Sequence, residues 1–365
     1  MNNTLSRGYA GDWHQPVKLF NVEAARGVAA LLVVLHHSSN LLAPPKYFGE
    51  MAFHGLFKFG HAGVDFFFVL SGFIIFHAHR GDLGNPARFN RYLTRRFVRI
   101  YPTYWAVLLI LGLILAVSPT RDLYERNVVA VVTSMLLLPV PDHPPILGVA
   151  WTLQHEMLFY LLFSTLIIRI SLGVVVLSGW AALIIYQMLT GNIQTFPADF
   201  LVSYFNLEFF FGIAVAAALW RWPPFRPRLM LGAGVTLFLA TGLAESFIAN
   251  FPSRSPGPHM LYAAGAALAL YGMAAGEASG KLKSAPGWAV AVGAASYSTY
   301  LLHIIVIMIL QQVILIVHRY VPMSLNLTFM GVVVVTLLIC MCFWHLVEQP
   351  LLGFSRRAVA RRVYT

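Results

Sequence analysis

Apolar residues run along the chain in long blocks separated by short polar turns, at approximately 22–43, 62–79, 103–118, 127–140, 151–170, 172–190, 200–219, 229–249, 259–276, 292–317 and 327–347. Most blocks hold about 17 to 22 residues, enough at 1.5 Å per residue to cross a hydrocarbon layer about 30 Å thick. The pattern predicts an all-α fold, a polytopic bundle of membrane-spanning helices. The block at 127–140 is the weak member. It is short for a span and runs into the turn-rich stretch 139–145, which holds four prolines.

Charge decides how that block is read. With a cytoplasmic N-terminus and 127–140 left uncrossed, most Lys and Arg fall on the inner side, as the positive-inside rule requires. Arg7, Lys18, Arg26, the arginines from Arg80 to Arg99, Arg169, Arg221, Arg226, Arg228, Lys281, Lys283 and the basic tail all collect there. Counting 127–140 as a span would put the later loops and the tail outside. The prediction is therefore about ten spans with both termini cytoplasmic, and a re-entrant or surface-lying element at 127–140. A cytoplasmic segment at 1–17, one transmembrane domain over 18–352 and a basic cytoplasmic tail at 353–365 complete the expected organisation. The first twenty residues lack the apolar core of a cleavable signal peptide. No internal repeat or appended soluble domain is evident.

Composition agrees. Of 365 residues, 58% are hydrophobic and only 11% charged, with a mean hydropathy of +0.71. A soluble chain carries about a quarter charged residues. The net charge of +11 is accounted for by inward-facing loops, which removes nucleic acid as an expected partner. Cys340 and Cys342 stand two apart in one apolar block and would point to different helix faces, so no disulfide is expected between them.

Ionisable residues inside spans are costly, and each is a functional candidate by default. In the first block Arg26 and His37 are eleven positions apart and within about 20° of each other on a helical wheel, with Glu23 about 40° away. His37 lies about 16 Å along the axis from Arg26, beyond mid-membrane toward the outer side, and is the candidate base. His36 points about 100° away from it, where backbone satisfaction explains it better. Asp65 opens the second span, where it either orients a histidine or serves the helix dipole. Ser71 and Gly72 suit close helix packing rather than nucleophilic chemistry, since no Gly-x-Ser-x-Gly elbow surrounds them.

Glu156 and Tyr160, in Trp151-Thr-Leu-Gln-His-Glu156-Met-Leu-Phe-Tyr160, sit one turn apart on one face in the outer half of the ten-span arrangement. A carboxylate there could bind a sugar hydroxyl, hold an imidazolium, or make a helix-to-helix hydrogen bond. His303 is a further intramembrane histidine. No His-Glu-x-x-His or Cys-x-x-Cys spacing occurs, and His54, His61, His77 and His79 read as interfacial, so no metal site is expected. On the cytoplasmic side Arg88, Arg91, Arg95 and Arg99 stripe one helical face, with Arg96 adjacent. Such a stripe serves topology and anionic lipid, and also suits a ligand with several phosphates, which guanidinium pairs bidentately.

These stretches together resemble the membrane-bound acyltransferase-3 family, and the opening half is most similar to its exopolysaccharide O-acetyltransferases. The resemblance rests on Glu23-x-x-Arg26-Gly27 with His37 eleven residues after Arg26, Gly63-Val-Asp65-Phe-Phe-Phe-Val-Leu-Ser71-Gly72-Phe, and Arg95-Arg96-x-x-Arg99-Ile-Tyr-Pro102-x-Tyr104. Trp151-x-Leu-x-x-Glu156-x-x-Phe-Tyr160, Ser296-Tyr-x-x-Tyr300-x-x-His303 and Glu348-x-Pro350 extend it over about 18 to 352. Glu23 replaces the family's common aspartate, and His36 replaces an aromatic. The second difference creates a pair of histidines at the position of the base.

The resemblance implies an O-acyltransferase of the bacterial inner membrane with no permanently bound cofactor. Acetyl-CoA would enter from the cytoplasm and a glycan or glycolipid hydroxyl from the outer face. His37, Glu156 and Asp65 are its implied catalytic residues. Arg26, Arg95, Arg96 and Arg99 would serve the donor, and His36, Ser71, Trp151, Tyr160 and His303 would line the site. A transporter or flippase is the rival class, since polar residues at mid-membrane also suit substrate pathways. Acylation of a lipid or small molecule stays within the family.

Overall fold

In a lipid interior the backbone has no water to bond, so each apolar block must satisfy its own N–H and C=O groups, and it does so as helix. The computed structural model describes residues 19–117, 127–141 and 143–363. Within that range the chain runs α1 (Phe20–Leu42), a 3-10 run (Ala52–Ala62), α2 (Gly63–His79), α3 (Phe89–Val117), α4 (Val128–Met135), α5 (Trp151–Ile168), α6 (Ile170–Thr190) and α7 (Ala198–Leu201). It continues as α8 (Phe205–Arg221), α9 (Pro227–Phe247), α10 (Pro256–Ala278), α11 (Gly287–Ala294), α12 (Ser296–Val317), α13 (Leu325–Phe343), a π-helical turn (Trp344–Glu348) and α14 (Gln349–Val363). No strand occurs among the described residues, only an isolated bridge between Val140 and His143.

Seven helical stretches among the described residues are long and apolar enough to cross a membrane: Ala52–Asp82, Pro86–Ala116, Ile170–Thr190, Ala198–Arg221, Pro227–Phe247, Ser296–Val317 and Leu325–Ser355. The other three of the ten predicted spans are α1, α5 and α10, helices of 23, 18 and 23 residues. Their polar residues lower their hydropathy, and the count of ten is not reached on length and composition. Apolar side chains point outward along several of the seven, including Leu109, Val175, Leu189, Leu243 and Leu338. Such broad apolar exposure suits lipid rather than water. The chain is an all-α, multi-pass membrane protein.

Three boundaries differ from the hydrophobic pattern. α3 begins at Phe89, well before its apolar block at 103, because the arginine stripe is itself helical. The block at 292–317 breaks at Ala295 into α11 and α12. The last apolar helix does not stop at a tail: it passes through the π turn into α14, so the expected boundary at 352 falls inside one helix. The expected N-terminal segment 1–17 lies outside the described residues.

α4 settles the weak block. Its eight residues extend about 12 Å, far short of a bilayer. Asn127 caps its start by accepting from Val129 N at 2.8 Å. Its end is held by donors from α3: Tyr104 Oη to Ser134 O at 2.7 Å, Trp105 Nε1 to Met135 O at 2.9 Å and Tyr101 Oη to Leu136 O at 3.0 Å. These satisfy carbonyls that a helix terminus leaves open.

The chain forms two compact units assembled from separated stretches. Unit 1 takes residues up to His36, Gly55–Gly81 and Leu207–Ser296; unit 2 takes His37–His54, Asp82–Asn206 and Tyr297 onward. In unit 1 small residues let backbones touch. A Cβ added at Gly72 of α2 would lie 2.0 Å from Phe209 O of α8, and one at Gly212 of α8 would lie 1.8 Å from Val69 O of α2. Only glycine permits that approach, the close packing predicted for the Ser71-Gly72 step. In unit 2 aromatic donors do similar work, as where Tyr92 Oη on α3 bonds Tyr160 O on α5 at 3.0 Å.

Candidate functional site

The division between the units falls inside α1, between His36 and His37, and the two histidines have separate surroundings. In unit 2 the His37 ring faces His303 of α12 with centroids 5.2 Å apart. His303 is fully buried, and its Nδ1 lies 3.0 Å from Thr299 O. A carbonyl only accepts, so this Nδ1 carries the hydrogen. One turn before His303, Tyr300 Oη bonds Val149 O at 3.1 Å and Thr152 Oγ1 at 2.9 Å, fixing α12 to the start of α5.

The expected pair on α5 does meet: Tyr160 Oη donates to Glu156 Oε1. Arg96 of α3 lies over the Tyr160 ring, 5.8 Å from its centroid, a cation–π distance. Trp151 packs on Phe205 with centroids 4.9 Å apart. A guanidinium, a phenol and a carboxylate thus stand in sequence along α3 and α5.

The arginine stripe divides. Arg88, Arg91 and Arg95 are exposed, and Arg95 feels Arg88, Arg91 and Arg96 around it, with Asp82 as the acidic counterweight. That cluster attracts anions. Arg99, part-exposed, has partners on two further elements. It lies 3.5 Å from the buried Glu348 of the π turn and over the Tyr297 ring at 5.6 Å. Ser298 Oγ donates to the other Glu348 oxygen. Arg99 therefore ties α3 to α12 and to the end of α13. Arg26, in unit 1, pairs with Glu23 at 2.9 Å, one turn away on α1.

Unit 1 holds the remaining candidates. His36 Nδ1 bonds Lys58 O at 2.7 Å, the backbone satisfaction its position on the wheel suggested. Asp65 is completely buried in the first turn of α2 and lies 2.6 Å from His259 Nδ1 of α10. Ser71 is half-buried on α2, next to the tightly packed Gly72. His61 is not the interfacial residue expected. Its Nε2 meets Glu245 Oε1 of α9 at 2.8 Å, and Tyr262 Oη donates to Glu245 Oε2 at 2.7 Å. Its ring also approaches those of His36 and His259, with centroids 5.5 and 5.4 Å away.

His61, His259, Glu208, Glu245 and Tyr262 were missed because they come from the 3-10 run, α8, α9 and α10, distant in sequence and without motif spacing. A weak signal was available: Glu208, Glu245 and His259 are ionisable residues in or at the edge of apolar blocks. His155, also passed over, is buried on α5 and bonds Asn206 Oδ1 at 2.9 Å.

The comparisons with known proteins bear on this arrangement. Residues 19–345 match the family model described as an acyltransferase domain. The chain is 30% identical to the exopolysaccharide production protein ExoZ of Rhizobium meliloti (strain 1021) over 339 residues, 86% of this chain and 97% of that one. It is 29% identical to protein 2 in the picA locus of Rhizobium radiobacter over 164 residues, 39% of this chain and 78% of that one. No solved structure matches significantly. A transporter is thereby set aside, because the match covers nearly the whole bundle and carries its polar helices with it: the chain belongs to the acyltransferase-3 family of membrane acyltransferases.

Proposed function

We propose that this protein moves an acetyl group from acetyl-CoA to a hydroxyl of an exported or cell-surface glycan, with His37 as general base. The pairing of His37 with His303 at 5.2 Å carries the assignment of the base; likeness to an exopolysaccharide production protein supports the acceptor class. The donor enters from the cytoplasm in the ten-span arrangement of the inner membrane, with both termini on that side. Its phosphates meet Arg95 and Arg96, and Arg99 with Glu348 braces the helix that presents them. The glycan hydroxyl binds near Glu156 and Tyr160.

In the transfer step a ring nitrogen of His37 takes the hydroxyl proton as the oxygen attacks the thioester carbonyl. The C–S bond breaks, coenzyme A leaves as thiolate, and the proton returns to sulfur. In this direct transfer no cofactor is consumed and no covalent acyl-enzyme forms. General-base help of this kind is worth about 10² to 10⁴ in rate. Asp65 is assigned to His259 and takes no part in the transfer step.

Acetyl transfer from labelled acetyl-CoA in inverted membrane vesicles tests the reading, with native protein compared to His37→Ala and Glu156→Ala. Label in the glycan fraction with native protein, lost in both variants at equal protein levels, supports reaction and site together. Preserved transfer in His37→Ala removes His37 as base. Label moving into lipid rather than glycan replaces the acceptor class.

A further inference from the structure

The interior of unit 1 contains a polar cluster that acetyl transfer does not use. His61 from the 3-10 run, Asp65 from α2 and His259 from α10 each place a potential ligand atom within 4.8 Å of the other two. Asp65 and Glu208 are both 0% exposed, and the Glu208 carboxyl reaches that of Asp65. Apart from each other, Asp65 Oδ2 and the Glu208 oxygens are buried with no donor group beside them. Buried oxygens left in that state carry a desolvation cost. A cation held between the acids and the imidazoles offsets it.

We propose that His61, Asp65 and His259 bind one divalent transition-metal cation of the zinc class, with Glu208 beside Asp65 as the adjoining carboxylate. Two imidazoles and a carboxylate favour such an ion over magnesium or calcium, which take oxygen ligands. The surrounding bonds fit a ligand role. Glu245 engages one nitrogen of His61 at 2.8 Å and leaves the other for the metal, while Tyr262 holds Glu245 in turn. A carboxylate behind a ligating histidine is the usual supporting arrangement. The 2.6 Å contact of His259 Nδ1 with Asp65 Oδ1 would open to roughly 3.3 Å, the edge of a tetrahedron with bonds of about 2.0 Å. The bound ion ties the 3-10 run and α2, which are continuous in the chain, to α10.

The site stands independently of the transfer reading, and its test reads metal rather than activity. Full-length protein purified through a tag without histidines is loaded with Zn²⁺, desalted and measured for metal by mass spectrometry. Co²⁺ loading adds visible d–d absorption as a report on coordination. About one zinc per chain is expected, with a Co²⁺ spectrum of low symmetry and a higher melting temperature in the presence of zinc. His61→Ala and His259→Ala should each lose the metal, Asp65→Asn should weaken binding at least tenfold, and His345→Ala, at an exposed position in unit 2, should retain it. Native protein holding no more zinc than the His61→Ala, His259→Ala double variant would overturn the proposal and leave a shared proton as the explanation for the paired acids. So would zinc retained undiminished in that double variant, whose melting curve and elution volume show whether it is folded.

Discussion

Gly212→Ala tests the close approach of α2 and α8 in unit 1, because it adds one carbon where no space exists. The new Cβ would start 1.8 Å from Val69 O and 2.5 Å from Phe73 N, both backbone atoms that cannot rotate away. Reaching even a 3.0 Å contact requires α2 and α8 to part by roughly 1.2 Å, and overpacking of this kind costs about 1–3 kcal/mol. Alanine returns about 1 kcal/mol through better helix propensity, so the net loss is up to about 2 kcal/mol. The neighbouring turn of each helix carries Glu208 and Asp65, so the same parting separates the two acids. Gly112→Ala, Gly179→Ala and Gly232→Ala are the controls: each glycine lies inside a helix with nothing within 4 Å of an added Cβ, and each should be neutral or stabilising. Thermal melts in detergent should place Gly212→Ala a few degrees below the native protein and below all three controls. The ranking is the informative quantity, since such melts are commonly irreversible. If Gly212→Ala melts with Gly179→Ala at equal abundance, the close contact between α2 and α8 does not exist as described.

Further outcomes follow from unit 2. Arg91→Gln with Arg95→Gln removes two exposed guanidiniums and should raise the KM for acetyl-CoA severalfold while kcat changes less; steady-state kinetics across salt concentrations check it, because native binding should weaken with salt and the variant less so. Tyr104→Phe deletes the 2.7 Å bond to Ser134 O and should cost about 1–3 kcal/mol locally, seen as faster amide exchange over α4. Glu348→Gln leaves Arg99 with a neutral partner in a buried setting and should lower the melting temperature; unchanged stability would show that the brace between α3 and the π turn is dispensable.

The helices were legible because their periodicity carries the cost of the bilayer itself: a block of twenty apolar residues has few other uses. Element ends were less so. The start of α3 at Phe89 is hidden because arginines read as a loop by hydropathy, yet their spacing of three and four lines one helical face. The break at Ala295 has no proline or charge to announce it. Among site residues, Glu156 with Tyr160 and Arg26 with Glu23 were readable because one helical turn relates the members of each pair. His37 with His303 was readable only as two separate candidates. Nothing in the spacing says that α1 and α12 bring them together. Asp65 with His259 and His61 with Glu245 span more than 180 positions each, and only tertiary packing joins them.

The three helices that fall short of the hydropathy of a membrane span are the ones that carry much of this chemistry. α1 holds Glu23, Arg26, His36 and His37; α5 holds Gln154, His155 and Glu156; α10 holds His259 and Glu277. A charged residue at mid-span costs about 2.5–3.5 kcal/mol on insertion scales, yet each has been given partners. Gln154 donates to Leu138 O at 3.0 Å, and Glu277 accepts from Phe20 N and Asn21 N at 2.9 Å, capping α1. Satisfied polar groups are tolerated, but an apolar pair of similar volume would often be as stable or more so. Stability alone therefore does not account for Glu156 and Tyr160, and the double substitution Glu156→Met, Tyr160→Phe separates the two explanations. It removes a carboxylate and the hydroxyl bonded to it together, keeps the ring beneath Arg96, and makes α5 more apolar. If the pair serves transfer, the variant should melt within a few degrees of the native protein and lose at least about a hundredfold in acetyl transfer. If the pair serves packing, the melting temperature falls and transfer by the folded fraction stays near native. The second result would move the acceptor site away from α5.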